Sequence, residues 1–209
     1  SIVIVHGDDK GLRFSWEIAP YHVVIVPIGN TDNLISKARE LEKKLIEFCD
    51  VMIDSSEKSP GEKFNLWELK GVPIRIDLGE KEIESKKLSL FRRDLNKKEN
   101  IAETDLIRHV KLIKDEFTAN LIKEADKIFH NRIVNSRTLD SMKKSIDAGN
   151  IVRCGFCSTE MDGKKCAEIV KEKTGAEVRG TNLVEEKSEG KCIVCDKVAK
   201  HVVYVAKSY

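Results

Sequence analysis

The residues with the most chemical potential in this sequence are two Cys-x-x-Cys pairs, Cys154-Gly155-Phe156-Cys157 and Cys192-Ile193-Val194-Cys195. At this spacing two thiolates can reach one tetrahedral ion while backbone N–H groups soften their charge. The pairs stand 34 residues apart (158–191), more than the usual gap of a zinc ribbon. Cys166 is a fifth candidate for four positions, so spacing alone leaves the ligand set open and favours Cys154 over Cys166. A bound Zn2+ would contribute to folding and leave no open position for catalysis. A redox reading is weaker, because a redox Cys-x-x-Cys sits at a helix N-terminus and needs no second pair. A third reading, reduced structural cysteines, requires both pairs to arise by chance. Cys49 stands alone and reads as a small buried apolar residue.

Six cysteines in 209 residues, five of them in the last third, are too sparse for a disulfide-stapled secreted domain. With no signal-peptide pattern, this predicts a reducing, cytoplasmic setting. The chain is 41% hydrophobic, enough for a core, and 34% charged. No apolar run approaches the roughly 20 residues of a membrane span, so no membrane partner is expected. The net charge of +2 does not by itself announce a nucleic-acid partner. The charges are uneven, however: Lys86, Lys87, Arg92, Arg93, Lys97 and Lys98 crowd one stretch. That stretch reads either as a solvated hairpin or as a track for a phosphate backbone.

The elements that must position these groups alternate. Residues 22–28 form an apolar run of strand length. Asn30 or Thr31 can cap a helix reaching Phe48, with Leu34, Ile35, Ala38, Leu41, Leu45 and Phe48 on one face. A short strand follows at 51–53. Ser59-Pro60 opens a helix that Gly71 can end. Strands follow at 72–78 and 87–92, then a helix from about Glu103. This β-α-β-α-β-β-α order implies an α/β fold with a mixed or largely parallel sheet. A long amphipathic helix over 105–130 could link two domains. After it come a helix over 137–147 capped by Ser136, a strand at 151–152, a helix over 166–173 and a last strand at 201–206. Residues 1–20 hold no independent core. The Ser-Ile-Val-Ile-Val run reads as a strand or the end of a buried helix.

Ser59-Pro60-Gly61-Glu62-Lys63-Phe64-Asn65-Leu66-Trp67-Glu68-Leu69-Lys70-Gly71-Val72-Pro73-Ile74-Arg75-Ile76-Asp77-Leu78-Gly79 resembles the anticodon-binding domain of class II aminoacyl-tRNA synthetases. His6 to Leu12, then Ala19-Pro20 and Val23 to Ile28, resemble the exit from the catalytic domain of the archaeal/eukaryote-type prolyl-tRNA synthetase. The cysteine-rich tail ending in Tyr209 is similar to the same type. Phe14-Ser15-Trp16 and Ser55-Ser56-Glu57 depart from the family's usual Leu-Pro-Pro and Asp-Arg-Asp, which marks a divergent member.

The resemblance implies a mixed-sheet anticodon-binding domain over 21–116, a small α/β zinc-binding domain over 117–209, and a catalytic-domain remnant over 1–20. It implies that Glu68 and Arg75 read anticodon guanines, a carboxylate accepting from N1–H and N2–H₂ and an arginine donating to O6 and N7. Glu82 falls at an acidic contact, Lys97 is a further contact, and Phe64 could stack on an unpaired base. The bland counterparts are a Glu68–Arg75 salt bridge and core packing of Phe64. For the metal it implies Cys157, Cys166, Cys192 and Cys195, with Cys154 the alternative and an insertion around Glu160 to Gly163. The parent would be a dimeric proline–tRNA ligase acting on tRNA-Pro, proline and ATP with Mg2+. Its catalytic sheet is missing here, so His6, Asp8 and Asp9 read as a polar loop and Tyr209 as a structural contact. The lack of an initiator methionine favours a fragment over a free-standing tRNA-binding zinc module.

Overall fold

The computed structural model describes residues 2–208, so the expectation for Tyr209 lies outside the described residues. The chain divides into two compact units at Ala125–Asp126. The first holds α1 (Ile2–His6), β1 (Val23–Pro27), α2 (Asp32–Leu45), β2 (Val51–Ile53), α3 (Pro60–Leu69), β3 (Ile74–Leu78), α4 (Glu80–Ser85), β4 (Lys87–Arg92), β5 (Lys97–Ala102) and most of α5 (Leu106–Arg132). The second holds β6 (Ile133–Asn135), α6 (Leu139–Asp147), β7 (Ile151–Phe156), α7 (Lys164–Thr174), β8 (Glu177–Gly180) and β9 (His201–Ala206). Both are α/β units with mixed sheets, the fold class expected.

In the first unit the strand order is β2-β1-β3-β4-β5. β1 runs parallel to β2 and β3, while β4 is antiparallel to β3 and to β5. The apolar period of α2 places Leu34, Ala38, Leu41 and Leu45 on one sheet face. There they meet Val23, Ile25, Ile74, Ile76, Leu78, Leu88 and Leu90, together with Val110, Ile113 and Phe117 of α5. Thr31 caps α2 by accepting from the Leu34 N–H. On the other face, Trp67 of α3, Val72 and half-buried Phe64 cover Val24 and Val26 of β1. A Ser59–Glu62 capping box starts α3. The Trp67 Nε1–H donates to Asp54 Oδ2 at 2.6 Å and anchors the helix to the end of β2.

The segment before β1 is strapped onto this unit. The Leu12 N–H donates to the Leu69 carbonyl at 3.1 Å. Gly71, at φ +72, lies so close that a Cβ would stand 2.8 Å from Leu12 backbone and side chain. This left-handed, crowded position requires glycine. Trp16 is buried in the main core, and Arg13 is buried, with Nε donating to the His6 carbonyl and Nη1 pairing with Glu124. Asp8 grips Arg93, which is 0% exposed, through two bonds of 2.7 and 2.6 Å. The described part of the Ser-Ile-Val-Ile-Val run is neither strand nor buried: Ile2–His6 is helical and none of its residues is buried.

In the second unit the order is β6-β7-β9-β8, with β6 parallel to β7 and the rest antiparallel. α6 and α7 contribute Met142, Ile146 and Val170 to a core with Val152, Phe156, Val203 and Val205. Thr138, rather than Ser136, caps α6 by accepting from the Ser141 N–H at 3.2 Å.

Hydrogen bonds from the Arg93 guanidinium hold the Asp8 carboxyl well below the usual carboxylate range. The pair's stabilisation is therefore complete above about pH 5 and is lost as pH falls through about 4 and below, where the unfolded chain binds the proton more readily. Asp8→Asn leaves a buried guanidinium short of its counter-charge and should cost about 3 kcal/mol at neutral pH. Urea unfolding at pH 7 and pH 3 should show the variant's deficit shrinking at the lower pH.

Candidate nucleic-acid interface and metal centre

Strand register decides which side chains meet on the α3 face of the first sheet. Arg75 of β3 stands opposite Phe91 of β4, which stands opposite Lys98 of β5. Asp77, Ser89 and Asn100 form the next row on the same face. Glu68 reaches this group from the last turn of α3. Arg75 is buried, and its Nη1 donates to Glu68 Oε1 and its Nε to Asp77 Oδ1, both at 2.8 Å. The guanidinium carbon lies 3.9 Å from the Phe64 ring centroid and 4.7 Å from that of Phe91. Two lysines rim the site: Lys98 Nζ stands 2.9 Å from Asp77 Oδ2, and Lys10 Nζ 3.6 Å from Glu68 Oε2.

The arrangement sets a carboxylate acceptor beside a guanidinium donor, both held in place. Guanine presents the complement, the O6 acceptor beside the N1–H donor, whereas adenine presents the reverse order there. With the rings over Arg75, its in-plane N–H groups rather than its faces are left for recognition. The Glu68–Arg75 salt bridge weighed as the bland reading is present, and Phe64 both packs on the α3 side and carries the guanidinium. These contacts orient the groups that the resemblance singled out.

The remaining nominated residues are placed differently. Glu82 Oε2 accepts from the Gly79 N–H at 3.0 Å and closes the first turn of α4. Lys97 is exposed and stands opposite Arg92, so it lies on the sheet face away from Arg75. Lys98, not Lys97, stands in the row of Arg75 and Phe91. Asp77 and Lys98, which the sequence reading did not nominate, lie beside the Glu68–Arg75 pair. The i, i+2 spacing from Arg75 is the signal that could have found Asp77, but nothing in the polar Lys97–Ala102 sequence announced a strand or its register. The basic stretch is also less available than it reads. Arg92 is buried against Asp94 and Glu116 and Arg93 against Asp8, leaving the four lysines exposed.

In the second unit the Sγ atoms of Cys157, Cys166, Cys192 and Cys195 all lie within 4.8 Å of one another. Cys157 and Cys166 Sγ are 3.7 Å apart. Zn–S bonds of about 2.3 Å at a tetrahedral centre require sulfurs about 3.8 Å apart, so the set is consistent with a zinc site. Cys157 follows β7, Cys166 sits in the first turn of α7, and the Cys192–Cys195 turn closes through Cys192 N–H to the Lys197 carbonyl at 2.7 Å. Burial pushes the Cys157 and Cys166 thiols up, while the Lys197 backbone N–H draws exposed Cys195 down to about 7. A cation is what would hold all four as thiolates. Cys154 is outside this set; alternation along β7 turns it into the core with Val152 and Phe156. Burial pushes its thiol up to about 12.

Comparison with known proteins agrees with both halves. The "Anticodon binding domain" family matches residues 22–112, and "Prolyl-tRNA synthetase, C-terminal" matches residues 139–209. The proline–tRNA ligase of Thermofilum pendens is 38% identical over 100% of this chain and 44% of its own length. That of Clostridium novyi is 36% identical over 100% of this chain and 43% of its own. Among solved structures, Giardia lamblia prolyl-tRNA synthetase in complex with prolyl-adenylate aligns with a TM-score of 0.84 at 30% identity, covering 98% of this chain and 46% of that one. The Cryptosporidium parvum enzyme, complexed with L-proline and AMP, gives 0.81 at 27%, covering 99% and 44%. The chain thus spans less than half the length of these relatives.

The cysteine geometry predicts one zinc per chain by elemental analysis. Cys157→Ser or Cys192→Ser should abolish stoichiometric zinc, and Cys154→Ser should retain it. Loss of zinc in Cys154→Ser together with its retention in Cys166→Ser would reverse the ligand assignment.

Proposed function

Since this chain is built of the anticodon-binding and C-terminal domains of prolyl-tRNA synthetases, we propose that it is the part of a proline–tRNA ligase that reads the anticodon guanines of tRNA-Pro. The observation that carries this reading is the Glu68–Arg75 pair, whose acceptor and donor lie side by side at 2.8 Å on the α3 face of the sheet. Glu68 would accept from guanine N1–H and N2–H₂, and Arg75 would donate to O6 or N7. Lys10 and Lys98 sit where they would meet phosphates on either side. Glu82 and Lys97 remain possible outer contacts to neighbouring nucleotides, and Phe64 supports Arg75 from below.

In this reading the four-cysteine set, Cys157, Cys166, Cys192 and Cys195, holds a structural zinc that stabilises the second unit. ATP, Mg2+ and proline belong to the catalytic domain of the parent enzyme, which would join proline to tRNA through an adenylate. Residues 1–20 are the end of that domain, and the parent is a homodimer. A second reading, a tRNA-binding zinc module acting without a synthetase, draws support from each unit's having its own core.

The test is binding of this chain to tRNA-Pro and to the same tRNA with its anticodon guanines replaced, at one salt concentration. A preference of about 1–3 kcal/mol per guanine, lost in Arg75→Ala, is expected. Equal and strongly salt-dependent binding of both tRNAs would overturn the assignment.

A further inference from the structure

We infer that Asp77 is the positioning residue of the interface: it fixes the plane of the Arg75 guanidinium so that Nη2 faces the base to be read. The inference rests on the anticodon reading above. Asp77 is 1% exposed, yet it is a carboxylate on a fully buried strand whose other charge is Arg75. Its Oδ1 accepts from Arg75 Nε at 2.8 Å, and Lys98 Nζ stands 2.9 Å from its Oδ2.

Burying a carboxylate is costly, and replacing a buried ion pair by apolar residues is often neutral or stabilising. Stability alone is therefore a weak account of Asp77. Geometry supplies a better one. The Nε–H lies in the guanidinium plane, so an acceptor held there sets that plane. Glu68 holds Nη1 from a different edge, and the Phe64 and Phe91 ring centroids lie 3.9 and 4.7 Å from the guanidinium carbon. Among the described residues Nη2 has no hydrogen-bond partner. Nε and Nη1 are thus taken, two rings pack against the group, and one amino group is presented in a fixed direction. A donor held in this way loses less freedom on binding and tolerates misplaced acceptors poorly, which favours selectivity over bare affinity. Lys98 pairs with Asp77 Oδ2 from the solvent side and leaves the Arg75 donors free of it.

The test uses the isotopically labelled chain and two tRNAs, tRNA-Pro and its guanine-replaced form. In the wild type the Arg75 Nε–Hε signal should exchange slowly with water. Asp77→Asn should speed that exchange and cut the preference for guanine by about tenfold or more, the scale of one well-placed base contact. Binding of the guanine-replaced tRNA should stay nearly constant, which general structural damage would not allow. Asp77→Glu, which keeps the charge and the acceptor, should recover part of the preference. A folded Asp77→Asn chain that still discriminates as well as the wild type would overturn the proposal. So would fast exchange of Arg75 Nε–Hε in the wild type, an outcome that needs no variant to fold. A wild type with slow exchange but no guanine preference would instead sink the anticodon reading, leaving the clamp itself intact.

Discussion

All five residues of β3 are buried, and two of them are charged. Most of the first unit's arrangement follows from that constraint. A buried charge must be paired and hydrogen-bonded. On one face β3 meets this demand by having no charge at all: Ile74, Ile76 and Leu78 join the core under α2 and α5. On the other, Arg75 and Asp77 satisfy each other, and the remaining donors call for a second carboxylate. Glu68, at the C-terminal end of α3, supplies it. The end of α3 is therefore tied down tightly, by the strap at Leu12, by the close approach at Gly71 and by Trp67 on Asp54.

The same logic explains what could be read in the sequence and what could not. The β1–α2–β2–α3–β3 succession was legible because apolar periods and caps coincide there, as with Thr31 and the Ser59–Glu62 box. Glu68 and Arg75 were legible through the resemblance of their surroundings. β5 was not, since Lys-Lys-Glu-Asn-Ile-Ala lacks an alternating pattern and only Ile101 turns inward. Without β5 there is no register, and without register Lys97 and Lys98 cannot be told apart. β6 and β8 are 3 and 4 residues long and leave too short a trace. Ile2–His6 misled through its composition, because five apolar or weakly polar residues suit a strand, a buried helix or an exposed turn of helix equally.

The cysteine set shows where spacing is a poor guide to geometry. Two matched Cys-x-x-Cys pairs would have placed Cys154 with Cys157, yet residues three apart on a strand point to opposite faces. Cys154 goes inward with the core, and Cys157 lies just past the strand end. Its partner comes from across a compact loop. Residues 161–163 form a helical turn, and Gly163 lies where a Cβ would stand 2.1 Å from the Ser158 carbonyl oxygen. That loop delivers Cys166 into the first turn of α7, within 3.7 Å of Cys157. The loop thus spans the eight residues between the two cysteines and still brings the sulfurs together.

The near-neutral net charge of +2 is consistent with such a design. Arginine is the better residue for buried, planar, bidentate pairing, and this chain uses Arg13, Arg75, Arg92 and Arg93 in that way, each buried against carboxylates. The long, hydrated lysines are left on the rim, where Lys10 and Lys98 remain half exposed. Charges consumed by the fold cannot also neutralise phosphates. A surface of this kind gains little from counterion release, so on the proposed anticodon reading discrimination would come from the fixed geometry of a few groups, above all the acceptor and donor that β3 and α3 bring together.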